Sequence, residues 1–265
     1  MIAVQSLRKV FPNGHVALED VSFTVQSGEV VCVVGRSGAG KSTLLRCING
    51  MLDATAGRVS IGDVEITGAA EAEQRRLRRR IGFVYQEFNL VERLSVLRNV
   101  LVGRLGHASP LASCFGLFSR ADRELALYNL DRVHLLDRAG QRADSLSGGE
   151  KQRVAIARAL TQEPLVLLAD EPVASLDREL SRGVMDDLHR VAKDEGVPTV
   201  VNIHDVQLAR AYADRVIGIA RGVIVFEGRP ADLDDAALDR IYRTPASEET
   251  VGDDSPAVPA ASPAA

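Results

Sequence analysis

The sequence predicts an α/β fold in which a parallel-rich sheet is covered by helices. Three observations carry that expectation. Short apolar runs bounded by turn residues alternate with stretches of helical spacing, a glycine-rich loop stands between one such run and a helix, and residues 87–160 hold no strongly β-like run. The last of these predicts a helical insert within the α/β body.

Taken in order, residues 2–8 and 16–25 alternate enough to be strands, and QSGE at 26–29 is a turn. EVVCVVG follows as a buried strand ending at Gly35, with a helix beginning near Lys41. The glycine-punctuated GRVSIGDVEI at 57–66 reads as a small strand pair, the arginine-rich stretch 70–80 as a helix and IGFVYQ at 81–86 as a strand. Inside the insert, ADRELALYNLDRVHLL at 121–136 has helical spacing. Beyond it, LVLLAD at 165–170 and PTVVNIH at 198–204 are buried-strand patterns separated by a helix over about 178–195. No linker or internal repeat divides residues 1–244, which predicts one domain with the helical insert at about 87–160. The acidic, Pro/Ala-rich segment 245–265 cannot bury apolar surface and is predicted to be disordered.

The chain has 265 residues, 46% of them apolar and 26% charged, which excludes overall disorder and fibre and permits a sizeable core. No window approaches the ~18 uninterrupted apolar residues of a membrane span, and MIAVQSLRKV lacks the order of a signal peptide. Work at a membrane is therefore expected to pass through a partner. There are 32 basic and 36 acidic residues, and the acidic excess equals the four acids of the tail, Glu248, Glu249, Asp253 and Asp254. A balanced body argues against broad capture of nucleic acid. Cys32, Cys47 and Cys114 are odd in number and form no CxxC pair, which favours buried thiols in a reducing compartment over disulfides or zinc.

The strongest motif is Gly35-Arg36-Ser37-Gly38-Ala39-Gly40-Lys41-Ser42-Thr43. It fits G-x-x-x-x-G-K-[ST] between a strand and a helix, so a fortuitous glycine turn is the weaker reading. Glycines let backbone N–H groups wrap phosphates, Lys41 neutralises the β and γ groups, and the Ser42 hydroxyl sits on Mg²⁺. Asp170 and Glu171 end the LVLLADE strand. Asp170 suits a water-mediated hold on Mg²⁺, and Glu171 suits the general base that polarises the attacking water. Alone such a pair is more often a solvated loop; beside the Lys41 loop the functional reading prevails. The arginine run at 75–80 is read as a solvated helix face.

Leu146-Ser147-Gly148-Gly149-Glu150-Lys151-Gln152-Arg153, followed by VAIARAL, resembles the signature of ABC ATPases. Gln86 at a strand end, Ser175-Leu176-Asp177 after the acidic pair and His204 after the 198–203 strand agree in order with that family. The resemblance covers residues 1–243 and implies a P-loop NTPase (RecA-like) fold with an N-terminal antiparallel β subdomain and an inserted α-helical subdomain. It further implies ATP and Mg²⁺ as ligands and a homodimer in which each ATP is clamped by the Lys41 loop of one copy and the Ser147–Gly149 segment of the other. By the same resemblance Gln86 links Mg²⁺ and the attacking water to the insert, His204 contacts the γ-phosphate and Asp177 supports the dimer contact. Phe11 is similar to the aromatic that stacks on adenine, with Val16 near the ribose, although Phe11 could equally be a strand-end core residue. His15, His107, His134 and His189 have no such support.

A single ATPase unit without long coiled coils or zinc-binding cysteines is similar to transporter subunits and unlike repair or translation ATPases. YQEFNLVERLSVLRNVLVGRLG at 85–106, SCFGLFSRADRELAL at 113–127 and the text at 141–149 resemble the phosphonate import ATP-binding subunits. That resemblance implies integral permease subunits, a periplasmic or lipid-anchored binding protein and a peripheral place on the cytoplasmic face of the bacterial inner membrane. Phosphite, phosphate esters or polar amino acids remain open as cargo, as does a cytosolic ABC ATPase acting on DNA or a cell-division complex. Arg36, Lys151 and the Asp-Val-Gln after His204 depart from the commoner pattern without removing a catalytic group.

Overall fold

The computed structural model describes residues 1–107 and 116–243. In chain order the first half contains β1 (Ile2–Val10), β2 (Val16–Val25), β3 (Val30–Val34), α1 (Lys41–Ile48), β4 (Ala56–Ile61), β5 (Val64–Glu65), α2 (Glu71–Arg78), β6 (Ile81–Val84) and α3 (Val96–Leu101). The second half contains α4 (Arg120–Arg132), α5 (Gly148–Leu160), β7 (Val166–Asp170), α6 (Arg178–Asp194), β8 (Thr199–Asn202), α7 (Val206–Tyr212), β9 (Arg215–Ala220), β10 (Val223–Gly228) and α8 (Asp235–Tyr242). The tail from Thr244 and Cys114 lie outside the described residues.

Two sheets result. Among the described residues the antiparallel sheet runs β2-β1-β4-β5 and the larger one β10-β9-β3-β8-β7-β6, in which the β9–β10 pair is antiparallel and the other pairs are parallel. Strand β3 shows why the apolar runs are strands buried on both faces. Val30, Cys32 and Val34 enter one apolar cluster with helices α3 to α8, while Val31 and Val33 enter a second cluster with α1 and the antiparallel sheet. Successive side chains point to opposite faces, so a strand between two covered faces needs apolar residues at every position.

Between β6 and β7 the described residues contain helices and no strand. Their ends are set by local chemistry. Ser119 and Asp122 form a capping box at the start of α4, and Arg104 bonds both Asp122 (2.8 Å) and Glu163 (2.6 Å), tying α4 to the end of α5. Burial holds back the Asp122 carboxyl's ionisation, but Ser119 and Arg104 outweigh it and leave the pKa below the usual carboxylate range.

Parallel pairing then places the site. Register sets Val33 of β3 opposite Asn202 of β8, and Asn202 opposite Asp170 of β7. Three strands therefore end side by side, as an α/β crevice requires. The strands before Gln86 and His204 end earlier than their apolar patterns suggest, at Val84 and Asn202.

Candidate functional site

The loop after β3 turns on glycines at φ 155, 77 and 106 for Gly35, Gly38 and Gly40. Two of these positions exclude a side chain by contact. A Cβ on Gly35 would lie 2.2 Å from the Ile219 carbonyl oxygen, and one on Gly40 would lie 2.4 Å from that of Ala17. The loop is thus pressed against β9 and β2, and its remaining side lines a cavity of about 240 Å³ with Phe11, His15, Lys41, Ser42, Thr43 and Glu171.

Lys41 opens α1 and is only 4% exposed. Its ammonium donates to the carbonyls of Gly35 (2.8 Å) and Arg36 (2.9 Å), which uses two of three N–H groups and leaves one for a further acceptor. Burial pulls its pKa below the ordinary lysine value, and the carboxylates of Glu171 and Asp170 oppose that pull.

Across the sheet, Ser42 Oγ donates to Asp170 Oδ1 at 2.9 Å, and Asn202 Nδ2 donates to the same oxygen at 2.5 Å. Asn202 is fully buried, and its Oδ1 has no hydrogen-bond partner among the described residues. A lone Asn inside an apolar strand carries no sequence signal; only the pairing with Asp170 reveals it. The Ser42 hydroxyl and the Asp170 carboxylate, 2.9 Å apart, are hard oxygen donors of the kind that share Mg²⁺ with phosphates and water.

Glu171 sits one residue beyond β7 with φ 51, the left-handed region that costs a residue bearing a Cβ about 1 to 2 kcal/mol. Its N–H donates to the Asn202 carbonyl at 3.0 Å. Its Oε1 lies 2.5 Å from His204 Nε2, so the two sequence-predicted residues meet directly. Backbone strain of this kind gathers at functional sites.

The remaining predicted residues are placed around this cluster. Gln86 is exposed, two residues past β6, and β6 pairs with β7 so that Gln86 follows the strand beside Asp170 and Glu171. Its segment is gripped by α5: buried Gln152 donates to the Tyr85 carbonyl (3.4 Å), and Arg158 donates to those of Asn89 (2.6 Å) and Phe88 (3.1 Å). Neither residue was singled out from the sequence. Phe11 lies beside the loop with the His15 ring nearly parallel at 13° and 6.2 Å between centroids, and Lys9 over its face at 5.5 Å. Val16 is 38% exposed and does not line the cavity, whereas its neighbours His15 and Ala17 do.

Ser147 and Asp177 are helix caps. Ser147 Oγ donates to Glu150 Oε2 at 2.8 Å and accepts from the Glu150 N–H, closing a capping box at α5 with Gly148 and Gly149 in its first turn. Asp177 accepts from the N–H groups of Glu179 (3.0 Å) and Leu180 (2.9 Å) at α6. Neither residue joins the Lys41 cluster within this chain.

Fold and site together define a P-loop nucleotide-binding ATPase. The ABC transporter family profile matches residues 18–174, more than half of the chain. A phosphonates import ATP-binding protein of Shouchella clausii is 49% identical over 249 residues, covering 94% of each chain. One from Haloarcula marismortui is 49% identical over 243 residues, covering 92% of this chain and 90% of its own. Among solved structures, a dimeric ATP-binding cassette bound to ADP and Pi is 33% identical with a TM-score of 0.75, covering 87% of this chain and 99% of its own. A Clostridium perfringens protein that is part of an ABC transporter complex has a TM-score of 0.78 at 28% identity, covering 90% of this chain and 92% of its own. The chain belongs to the ABC transporter family, as an ATP-binding and ATP-hydrolysing subunit. No helix among the described residues is long and apolar enough to cross a membrane.

Proposed function

We propose that this chain powers import of phosphonates or related phosphorus oxyanions through a separate permease. The observation that carries its ATPase role is the bonded cluster at the three strand ends: Ser42, Asp170 and Asn202 joined through one carboxylate oxygen, with Glu171 and His204 in contact beside it. The cargo reading is supported by relatives named as phosphonates import ATP-binding proteins at 49% identity.

In this reading the loop from Gly35 to Thr43 holds the ATP phosphates through its backbone N–H groups, and Lys41 supplies its third N–H to them. Ser42 and Asp170, with Gln86, would hold Mg²⁺. When bound, that ion offsets charge on the β- and γ-phosphates. Glu171 accepts a proton from the attacking water, and His204, which already bonds its Oε1, contacts the γ-phosphate and orients it. Phe11 stacks on the adenine, with Val16 near the ribose.

The site is completed in trans. Two copies place Ser147, Gly148 and Gly149 of one against the ATP held by the other, with Asp177 supporting the contact. The α5 N-terminus offers N–H groups and a positive dipole to that phosphate. The helices between about 87 and 160 face the permease, and the Tyr85–Asn89 segment, held by Gln152 and Arg158, links that surface to Gln86. A periplasmic or lipid-anchored binding protein selects the cargo, and the chain sits on the cytoplasmic face of the inner membrane through its permease alone. Nucleic acid has no part in this reading.

Growth tests it. A strain lacking the chain should fail on an alkylphosphonate as sole phosphorus source and grow normally on phosphate, with rescue by wild type and none by Glu171→Gln. Normal growth of the deletion strain on phosphonate would remove the phosphonate cargo.

A further inference from the structure

Helices α5 and α6 start at Ser147 and Asp177, the two residues that the dimer reading brings to the partner's ATP. The helices pack closely along a seam of small residues. A Cβ on Gly149 would lie 3.2 Å from Leu180, and one on Gly183 would lie 2.9 Å from Arg153 Nη2. Glycine permits that approach but presents no ridge to seat in a groove of the facing helix, so the apolar part of the seam sets axial register weakly. One turn beyond each glycine the seam becomes ionic. Arg153 Nε lies 2.9 Å from Asp187 Oδ2, and neither atom makes a hydrogen bond elsewhere among the described residues. Asp187 is 3% exposed, and its Oδ1 accepts from Arg190 Nη2 at 2.7 Å, with His134 Nε2 3.8 Å away. Arg190 Nη2 also donates to the Arg132 carbonyl at the end of α4. One buried carboxylate therefore ties α4, α5 and α6.

Burying two charges costs their hydration, and apolar residues of similar size would hold two helices together as well or better. What an apolar pair lacks is direction. A planar guanidinium on a carboxylate fixes where along its axis one helix sits against another. We propose that Arg153 is a positioning residue, whose pair with Asp187 holds the register of α5 on α6 so that Ser147, Gly148 and Gly149 meet the partner's ATP together with Asp177. The proposal rests on the dimer reading above. A slip of one residue would move the α5 N-terminus by about 1.5 Å along its axis, roughly half the length of a hydrogen bond. N–H groups displaced that far no longer meet a phosphate seated in the other copy. Arg153 acts through the segment it holds and not on the phosphates.

The test measures ATP hydrolysis and urea unfolding of the full chain. Arg153→Met with Asp187→Leu should unfold at a urea concentration near that of wild type, because both charges of the pair leave together. Its ATP affinity by calorimetry should be unchanged, since the Lys41 half is untouched, while kcat should fall by about tenfold with KM within about twofold. Arg153→Lys, which keeps a cation for Asp187, should recover kcat to within about threefold of wild type. Adding Ser147→Ala to the apolar pair should lower kcat by less than about twofold further, because a displaced segment has already lost that hydroxyl's contact. Wild-type kcat in the apolar pair, with Ser147→Ala impaired, overturns the proposal alone. Full additivity with Ser147→Ala overturns it too, since Arg153 would then act apart from the Ser147 segment. If the apolar pair does not fold, Arg153→Met by itself, which leaves Asp187 with Arg190, carries the same expectations. Full turnover in Ser147→Ala would remove the dimer reading, and the proposal with it.

Discussion

Two segments that the proposed mechanism brings to the same phosphates are built in opposite ways. The Lys41 cluster is a product of tertiary structure: three parallel strands end together, and Ser42, Asp170, Asn202, Glu171 and His204 bond one another across the sheet. The Ser147 segment is a product of one helix, its hydroxyl already closed on Glu150 three residues on. The first half is assembled before any partner arrives. In that mechanism the second offers N–H groups, a dipole and a hydroxyl that must exchange its satisfied cap for an intermolecular contact. Substitutions in the first half should therefore act on the isolated chain, and those in the second only when two copies meet.

Lys41→Ala should give the largest effect. It removes a buried cation that the loop carbonyls hold in place, and ATP affinity of the isolated chain should fall by about 10³-fold. Unchanged affinity by calorimetry would place the phosphates elsewhere. Glu171→Gln should keep ATP affinity while hydrolysis falls by about 10²-fold or more, and the dimer should accumulate on sizing with ATP. Full turnover in this variant would remove Glu171 as the base.

Ser147→Ala sharpens the contrast. Affinity of the isolated chain for ATP should be unaltered, while hydrolysis should drop by roughly tenfold, the worth of one good hydrogen bond in the transition state. The lost cap should also cost about 1 kcal/mol of stability in urea. Ser147→Thr separates the two roles, because threonine caps nearly as well. Stability recovered without hydrolysis would assign Ser147 to the dimer site; both recovered together would make the cap the whole of its role.

The same contrast governs what could be read from sequence. Elements up to His204 were legible because covered strands demand unbroken apolar runs, and the glycine loop is fixed by motif and context together. Residues 205–243 carry no comparable pattern, since β9 joins the sheet beside β3, its partner far back in the chain, and the β9–β10 hairpin turns at Arg221-Gly222 without a strong local signal. Asn202 needs the strand register, and Gln152 and Arg158 need the fold of α5 onto the segment after β6. Ser147 was legible as a helix start, yet its bond to Glu150 shows how local its structure is. Cysteine chemistry agrees with the reading of buried thiols among the described residues: burial pushes Cys32 up to about 12 and Cys47 up to about 11.

The smallest effect is expected at His15, where the two-way division can be broken. This residue belongs to the Lys41 half by position but to no strand, since the turn between β1 and β2 delivers it to the cavity. Its ring lies nearly parallel to Phe11, so a base stacked on Phe11 would meet the imidazole as well. His15→Ala should raise the KM for ATP by about threefold and leave kcat unchanged, in keeping with a contact equal in ground and transition states. Phe11→Ala should raise KM further, and the double variant should exceed Phe11→Ala by less than threefold if both rings touch one base. Full additivity would detach His15 from the base. A fall in kcat would instead place it with the reacting phosphates, and the cavity would then have to be read as continuous from Phe11 to Glu171 in function as it is in shape.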